Sequence, residues 1–541
     1  MTSTPSMGHN SFAGSPAEPA PTLPTPHAPV DLSTPSSPQP GGPGGNQEIR
    51  DHLCKTAIIK PGYDDRLTNE DLAPLADQNW TWYNIFAFWM SDVHSVGGYV
   101  TAGSLFALGL TSWQVFVCLI VGITVVLFFA NLIAKPSQRA GVPYPVICRS
   151  VFGVMGANIP AIIRGLIAVA WYGIQTYLAS AALDILVVRI FPSLQPYGIT
   201  SQHGFLGLSY LGYGTFFLLW ILQAAVFWTG MKTIRRFIDW AGPAVYVVMI
   251  ALCAYLLIKA HGNISLNLAN GGLGDASVIG TMCAATALVV SYFSGPMLNF
   301  GDFSRYARSF SDVKKGNFWG LPVNFLFFSI LTVLTASATI PVYGKLITDP
   351  VATVGHIDNT FAIVLAALTF TTATIGINIV ANFVSPAFDF SNVKPQQISW
   401  RTGGMIAAVC SVLLTPWNLY KSPDMIHYTL DTLGAFIGPL FGVLLAHFYI
   451  VHRQKVCVDD LFTLNESGAY HYRKGYNPSA VIATVIAALC SLACVFVPAL
   501  KSLDDYSWFV GCGVGLLAYA VLAPRMGVSE ERQLAGKEVT V

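Results

Sequence analysis

The sequence predicts an all-α integral membrane protein of twelve transmembrane helices. Three features predict it: an apolar surplus, a series of spanning-length blocks, and basic residues that alternate from loop to loop. Of 541 residues, 53% are hydrophobic and only 11% are charged, whereas an ordinary soluble domain carries about 25% charged residues. A soluble chain could not cover that surplus with its remaining polar groups. The 29 Lys and Arg nearly balance the 28 Asp and Glu, for a net charge of +1. No net field exists to draw in nucleic acid or acidic partners.

Residues 2–46 are rich in Pro, Ser, Gly and Thr, a composition that buries too little surface to offset its ordering entropy and predicts a disordered tail. No apolar segment follows a basic stretch there, so a secretory signal peptide is not expected. Blocks long enough to span fall at 82–107, 113–134, 159–188, 208–229, 237–258 and 278–300. Six more fall at 318–342, 361–388, 403–419, 430–450, 480–500 and 508–523. Together with the interruptions and the family resemblance described below, these blocks divide the chain into a cytoplasmic tail (1–50), a lead-in (51–79), a first five-helix repeat (80–262) and a second, inverted one (263–452). Two accessory helices (453–524) and a second cytoplasmic tail (525–541) complete it.

With the amino terminus in the cytoplasm, the inner connections carry sixteen Lys and Arg, from Lys135 to Lys474. The outer ones hold only Arg189, Lys259, Lys345, Lys421 and Lys501. This alternation predicts an inner-membrane protein with both termini cytoplasmic and an even number of spans.

Two spans carry polar interruptions. The first contains Ser91-Asp92-Val93-His94-Ser95-Val96-Gly97-Gly98, and the sixth contains Ser291-Tyr292-Phe293-Ser294-Gly295-Pro296. Irregular backbone at this depth survives only when buried in protein or lining a wet cavity. Breaks five spans apart point to a carrier of inverted repeats with its ligand at the midplane. Gly and Pro are also simply common in membrane helices, but here they coincide with the polar residues.

In the third span Trp171 and Gln175 share one helix face. An indole beside a primary amide suits a flat heterocycle, because the ring stacks while the amide both donates and accepts. Helix packing with Gln175 as interhelical glue is the other reading. Asn378 and Asn382 in the eighth span repeat the spacing, as staples or ligand contacts. Arg164, nearer the inner end of the third span, is expected to snorkel. Asp302 and Arg305 close the sixth span at the inner face and read as an interfacial ion pair, with a gate as the other reading. The cysteines sit mostly in apolar runs, with Cys490 and Cys494 at one-turn spacing, so neither a disulfide framework nor a metal site is implied. No His-Glu-x-x-His or paired-carboxylate motif suggests an enzyme, and Gly511-Cys512-Gly513-Val514-Gly515 lacks the Lys of a phosphate loop. A passive channel and an amino-acid carrier are the remaining alternatives.

The chain also resembles the nucleobase:cation symporter-1 family, above all bacterial allantoin permeases. The likeness is carried by Arg66-Leu67-Thr68-Asn69-Glu70-Asp71-Leu72, Gly141-Val142-Pro143-Tyr144-Pro145-Val146 and Ala157-Asn158-Ile159-Pro160. It continues through Trp171-Tyr172-Gly173-Ile174-Gln175-Thr176, Asn382-Phe383-Val384-Ser385-Pro386-Ala387 and the run from Lys501 to Phe509. This resemblance implies the leucine-transporter-type fold and secondary active import of allantoin, hydantoin, uracil or a related ring. It implies a ring sandwiched by Trp171 and Phe293, the latter where relatives often have Trp, with Gln175 and Asn382 bonding its edges. A coupling cation would lie between the carbonyls of Phe88 and Ser91 and the eighth-span stretch Ala373-Thr374-Ile375-Gly376-Ile377. Where sodium-coupled relatives have Ser and Thr, this chain has Gly376 and Ile377. The loss of two hydroxyl ligands favours a proton over sodium, with Asp92 as its carrier. No cofactor or metal is implied, and the partners are the small substrate and the bilayer.

Overall fold

The computed structural model describes residues 57–94, 96–264, 277–347, 350–357 and 359–526. The expected tails at 1–50 and, from 527 on, 525–541 lie outside the described residues. Among the described residues, ten helices are long and apolar enough to cross a membrane, from Ser112–Ala140 to Pro498–Ala523. The other two expected spans are shorter. The first is split into α1 (Trp82–Val93) and α2 (Val96–Ser104), and the ninth is the 14-residue Trp400–Leu413. The chain is a helical multi-pass membrane protein. Its only paired strands among the described residues are Gly204–Phe205 and Leu208–Ser209, a small antiparallel hairpin.

The break expected in the first span is present. Helix α1 ends at Val93, where His94 takes a non-helical backbone (φ −85°, ψ 60°). The break expected in the sixth span is not where the sequence put it. Helix α3 (Val278–Leu298) runs unbroken through Ser291 to Pro296 and ends two residues later. Pro296 frees one carbonyl, yet neighbouring groups can re-satisfy such carbonyls in a buried helix. The Ser294 hydroxyl donates to the Ser291 carbonyl at 2.6 Å, one residue before the Tyr292 carbonyl that Pro296 leaves without its helical partner. The chain then turns at Asn299 and Phe300 into the short helix Gly301–Ser304.

Three spans contain wide π-type turns: Trp319–Val323, Asn378–Val384 and Ala446–Val451. Such turns recur at functional sites because they redirect side chains and loosen backbone bonds. The one in the eighth span carries both Asn378 and Asn382.

Outside the spans, the lead-in is laced to the loops. The Asp64 amide donates to the Phe462 carbonyl at 2.8 Å, and Tyr63 stacks on Phe462 at 4.6 Å. The Tyr63 hydroxyl donates to Asp459 at 2.7 Å. Burial and that carboxylate push the Tyr63 phenol well above its usual range. Asp459 also pairs with Lys60 at 2.8 Å across an exposed surface.

Candidate functional site

Helix α4 (Asn158–Ile190) carries Trp171 and Gln175 on a buried face, at 8% and 1% exposure. The Trp171 ring meets Tyr292 edge-on at 5.6 Å and 86°. The Gln175 amide donates to the Tyr292 hydroxyl at 3.3 Å, while its Oε1 has no partner among the described residues. Helix α2 closes in from the other side: a Cβ on Gly97 would stand 2.6 Å from the Gln175 amide nitrogen. The break in the first span thus abuts the amide singled out from the third.

Phe293 is 2% exposed and packs against Tyr292 at 5.1 Å and Phe325 at 5.5 Å. No ring contact joins it to Trp171 among the described residues; Tyr292 touches both. Tyr420, from the connection after the ninth helix, lies 6.5 Å from the Trp171 ring. Neither tyrosine was foreseen. Tyr292 was legible as part of the interrupted hexapeptide, but Tyr420 lies in a loop with no sequence signal.

The eighth span supplies the amides. Asn378 Nδ2 donates to the Tyr172 carbonyl at 3.1 Å, the Thr176 hydroxyl at 3.0 Å and Gln223 Oε1 at 2.9 Å. It therefore staples the third, fourth and eighth spans. Asn382 hangs from it, donating to Asn378 Oδ1 at 3.0 Å. Asn378 takes the staple role, and Asn382 retains an amide oxygen for other work.

Below this layer lies a buried charge cluster. Arg164 is not a snorkelling residue: it is fully buried, with Nη2 donating to the Ala381 carbonyl at 3.3 Å and Nε and Nη1 unpartnered among the described residues. Ala381 lies within the wide turn of the eighth span. Asp92, Asp302 and Asp389 all lie within its electrostatic reach. Asn299 donates to Asp302 at 3.1 Å and to Asp389 at 3.3 Å. Nor are Asp302 and Arg305 an interfacial pair. Both are buried; Asp302 accepts from the Tyr144 amide at 2.8 Å, and Arg305 donates to the carbonyls of Asp71 and Ala73. In sequence these charges looked peripheral because their partners are backbone atoms far along the chain.

Of the cation candidates, Ser91 and Gly376 face each other, a Cβ on Gly376 falling 3.6 Å from that of Ser91. The Ser91 hydroxyl bonds the Ile238 carbonyl at a long 3.5 Å. Neither oxygen of Asp92 nor the Thr374 hydroxyl has a hydrogen-bond partner among the described residues. Phe88 turns its ring toward Phe300 and Phe303, at 5.5 and 4.4 Å. Ala373 and Ile377 are buried and offer only backbone. His94 bonds the Tyr99 hydroxyl at 3.1 Å.

Residues 73–511 match the family described as permeases for cytosine/purines, uracil, thiamine and allantoin. The chain belongs to this permease family. It is 36% identical to an allantoin permease of Bacillus subtilis, over 85% of this chain and 93% of the relative. It is 31% identical to a purine-uracil permease of Arabidopsis thaliana, over 81% and 72%. In three dimensions it is similar to a nucleobase-cation-symport-1 family transporter in a closed conformation with bromovinylhydantoin bound. That match has a TM-score of 0.70 at 20% identity, covering 86% of this chain and 99% of the other. A sodium-coupled sialic acid symporter matches at 0.56 and 11% identity, covering 86% and 93%. These likenesses establish the inverted-repeat carrier fold for this permease-family chain.

Proposed function

We propose that this permease imports a flat cyclic ureide or nucleobase, of the class of allantoin, hydantoin or uracil, by alternating access across the cell's inner membrane, both termini facing the cytoplasm. The ring stacks against Trp171, with Phe293 part of the opposite wall, and Gln175 and Asn382 read its amide edges. The observation that carries this reading is the convergence of the Trp171 indole and the Gln175 amide on one buried site beside the broken first span. A planar ureide offers a face to the indole and alternating N–H and C=O groups to the amides, so one ligand satisfies all of them. An amino-acid carrier of the same fold would leave that arrangement without a purpose.

The coupling ion in this proposal is a proton carried by Asp92. Its two buried oxygens have no hydrogen-bond partner among the described residues, and an ionisable group at this depth in a carrier marks an ion or proton pathway. The rival is sodium, favoured by the unpartnered Thr374 hydroxyl. Coupling requires ion and substrate to prefer the same conformers. Labelled allantoin uptake into proteoliposomes, with pH and sodium gradients imposed separately, tests both parts. Saturable uptake driven by the pH gradient is expected, abolished by Trp171→Ala with reconstituted protein unchanged. Uptake insensitive to Trp171→Ala refutes the stacking role, and drive by sodium alone refutes the proton.

A further inference from the structure

Tyr292 gives Trp171 and Gln175 the same two things a ureide would. Its ring meets the indole at 5.6 Å, and its hydroxyl oxygen accepts the Gln175 N–H at 3.3 Å. The same ring meets Phe293 at 5.1 Å, so it touches both aromatics of the site. The packing around it is close. Gly97 presses on Gln175 from one side, and the void bounded by Gly98, Thr101, Leu119, Val289, Tyr292 and Phe293 has room for about one water.

A substrate ring lying between Trp171 and Phe293 must therefore displace the Tyr292 ring, and one taking the Gln175 N–H must replace the Tyr292 hydroxyl. A ligand with a flat ring and a carbonyl restores both interactions at once. A ring without the carbonyl, or an amide without the ring, restores only one. Leaving a buried polar group unpaired is penalised more heavily than a lost apolar contact, so such a site rejects the incomplete ligand.

We propose that Tyr292 is the specificity-determining residue of this site, an internal stand-in for the substrate that limits entry to small rings carrying an acceptor. This rests on the transport reading above and adds which rings pass. The tyrosine ring and the incoming ring compete for one space, so the tyrosine sets the size limit. The hydroxyl and the substrate carbonyl compete for one N–H, so the hydroxyl sets the affinity.

The test uses the full chain and its Tyr292→Phe and Tyr292→Ala variants in proteoliposomes, with labelled allantoin and unlabelled hydantoin, uracil and hypoxanthine as competitors. Tyr292→Phe keeps the ring and frees the Gln175 N–H. The KM for allantoin falls about three- to tenfold while the maximal rate per molecule is held, matching the net strength of one neutral hydrogen bond. Tyr292→Ala enlarges the space. Competition by two-ring hypoxanthine relative to one-ring uracil rises about tenfold or more. A purely structural tyrosine would instead lower the maximal rate or the protein's abundance and leave the ratio between competitors alone. Wild-type uptake with unchanged KM in Tyr292→Phe and unchanged competitor ratios in Tyr292→Ala overturns the assignment and leaves the transport reading standing. Absence of saturable uptake of any probe by the wild type overturns both.

Discussion

Gly97 stands against Gln175 so closely that any Cβ there would fall 2.6 Å from the amide nitrogen and 2.9 Å from its oxygen. The second half of the broken span therefore sets the position of the amide without touching it through a side chain. Gly97→Ala favours the helix locally, so folding should survive. The amide must move, and misplacing a positioning group by a fraction of an ångström weakens binding steeply. Uptake of labelled allantoin should show a KM raised about tenfold with normal membrane abundance. An unchanged KM would mean that Gln175 does not read the substrate.

Asn378 and Asn382 are identical residues one turn apart with different work. Asn378 donates to three acceptors on two other spans, whereas Asn382 donates to Asn378. Asn378→Ala strands several buried groups and should cost about 1–3 kcal/mol of stability, seen as a lower melting temperature in detergent. Asn382→Ala should leave melting nearly unchanged and raise the KM. Equal melting losses in the two variants would contradict this division.

The contrast between those amides also marks what the sequence could disclose. Periodicity put Trp171 beside Gln175 and Asn378 beside Asn382, because helical spacing is local. The wide turn at Asn378–Val384 was hidden, since no residue type announces a π turn, and with it went the hydrogen bond of Arg164 to the Ala381 carbonyl inside that turn. Gly295-Pro296 signals a break inside the sixth span, but the helix runs through it and the chain turns only at Asn299, whose side chain holds two aspartates. Tyr292 was in view as a letter, and its role depended on a long-range contact with Gln175. The twelve-span count rested on hydropathy, which does not separate a 14-residue helix such as Trp400–Leu413 from a longer span.

Arg164 and Asp389 form a further testable pair. Each is fully buried with unpartnered polar atoms, and the charge of one acts on the other. Removing one partner leaves an uncompensated charge in a low-dielectric interior, whereas removing both does not. Arg164→Met and Asp389→Asn should each lower the melting temperature and transport. The double variant should melt above at least one of them, with a coupling of about 0.5–3 kcal/mol. Strictly additive losses would show that the two groups are independent.

The tenth and twelfth spans meet through bare backbone. A Cβ on Gly438 would fall 2.3 Å from the Trp508 carbonyl oxygen, and one on Gly442 would fall 2.0 Å from that of Cys512. These glycines are four apart, the small-residue spacing that lets membrane helices approach closely, where van der Waals contact replaces the missing hydrophobic drive. Across this seam Pro439 packs on Gly511 and Gly515, so both helices contribute small residues. Backbone atoms have no rotamer to yield, unlike the flexible amide beside Gly97. Gly442→Val must therefore separate the helices, at about 1–3 kcal/mol or more of overpacking strain. The expected result is lower thermal stability in detergent with an unchanged allantoin KM in the folded fraction, because Gly442 meets only backbone of the twelfth span and neither Trp171 nor Gln175. An unchanged melting temperature would require the twelfth span to be free to shift, and the close fit of the glycines would then have no structural weight.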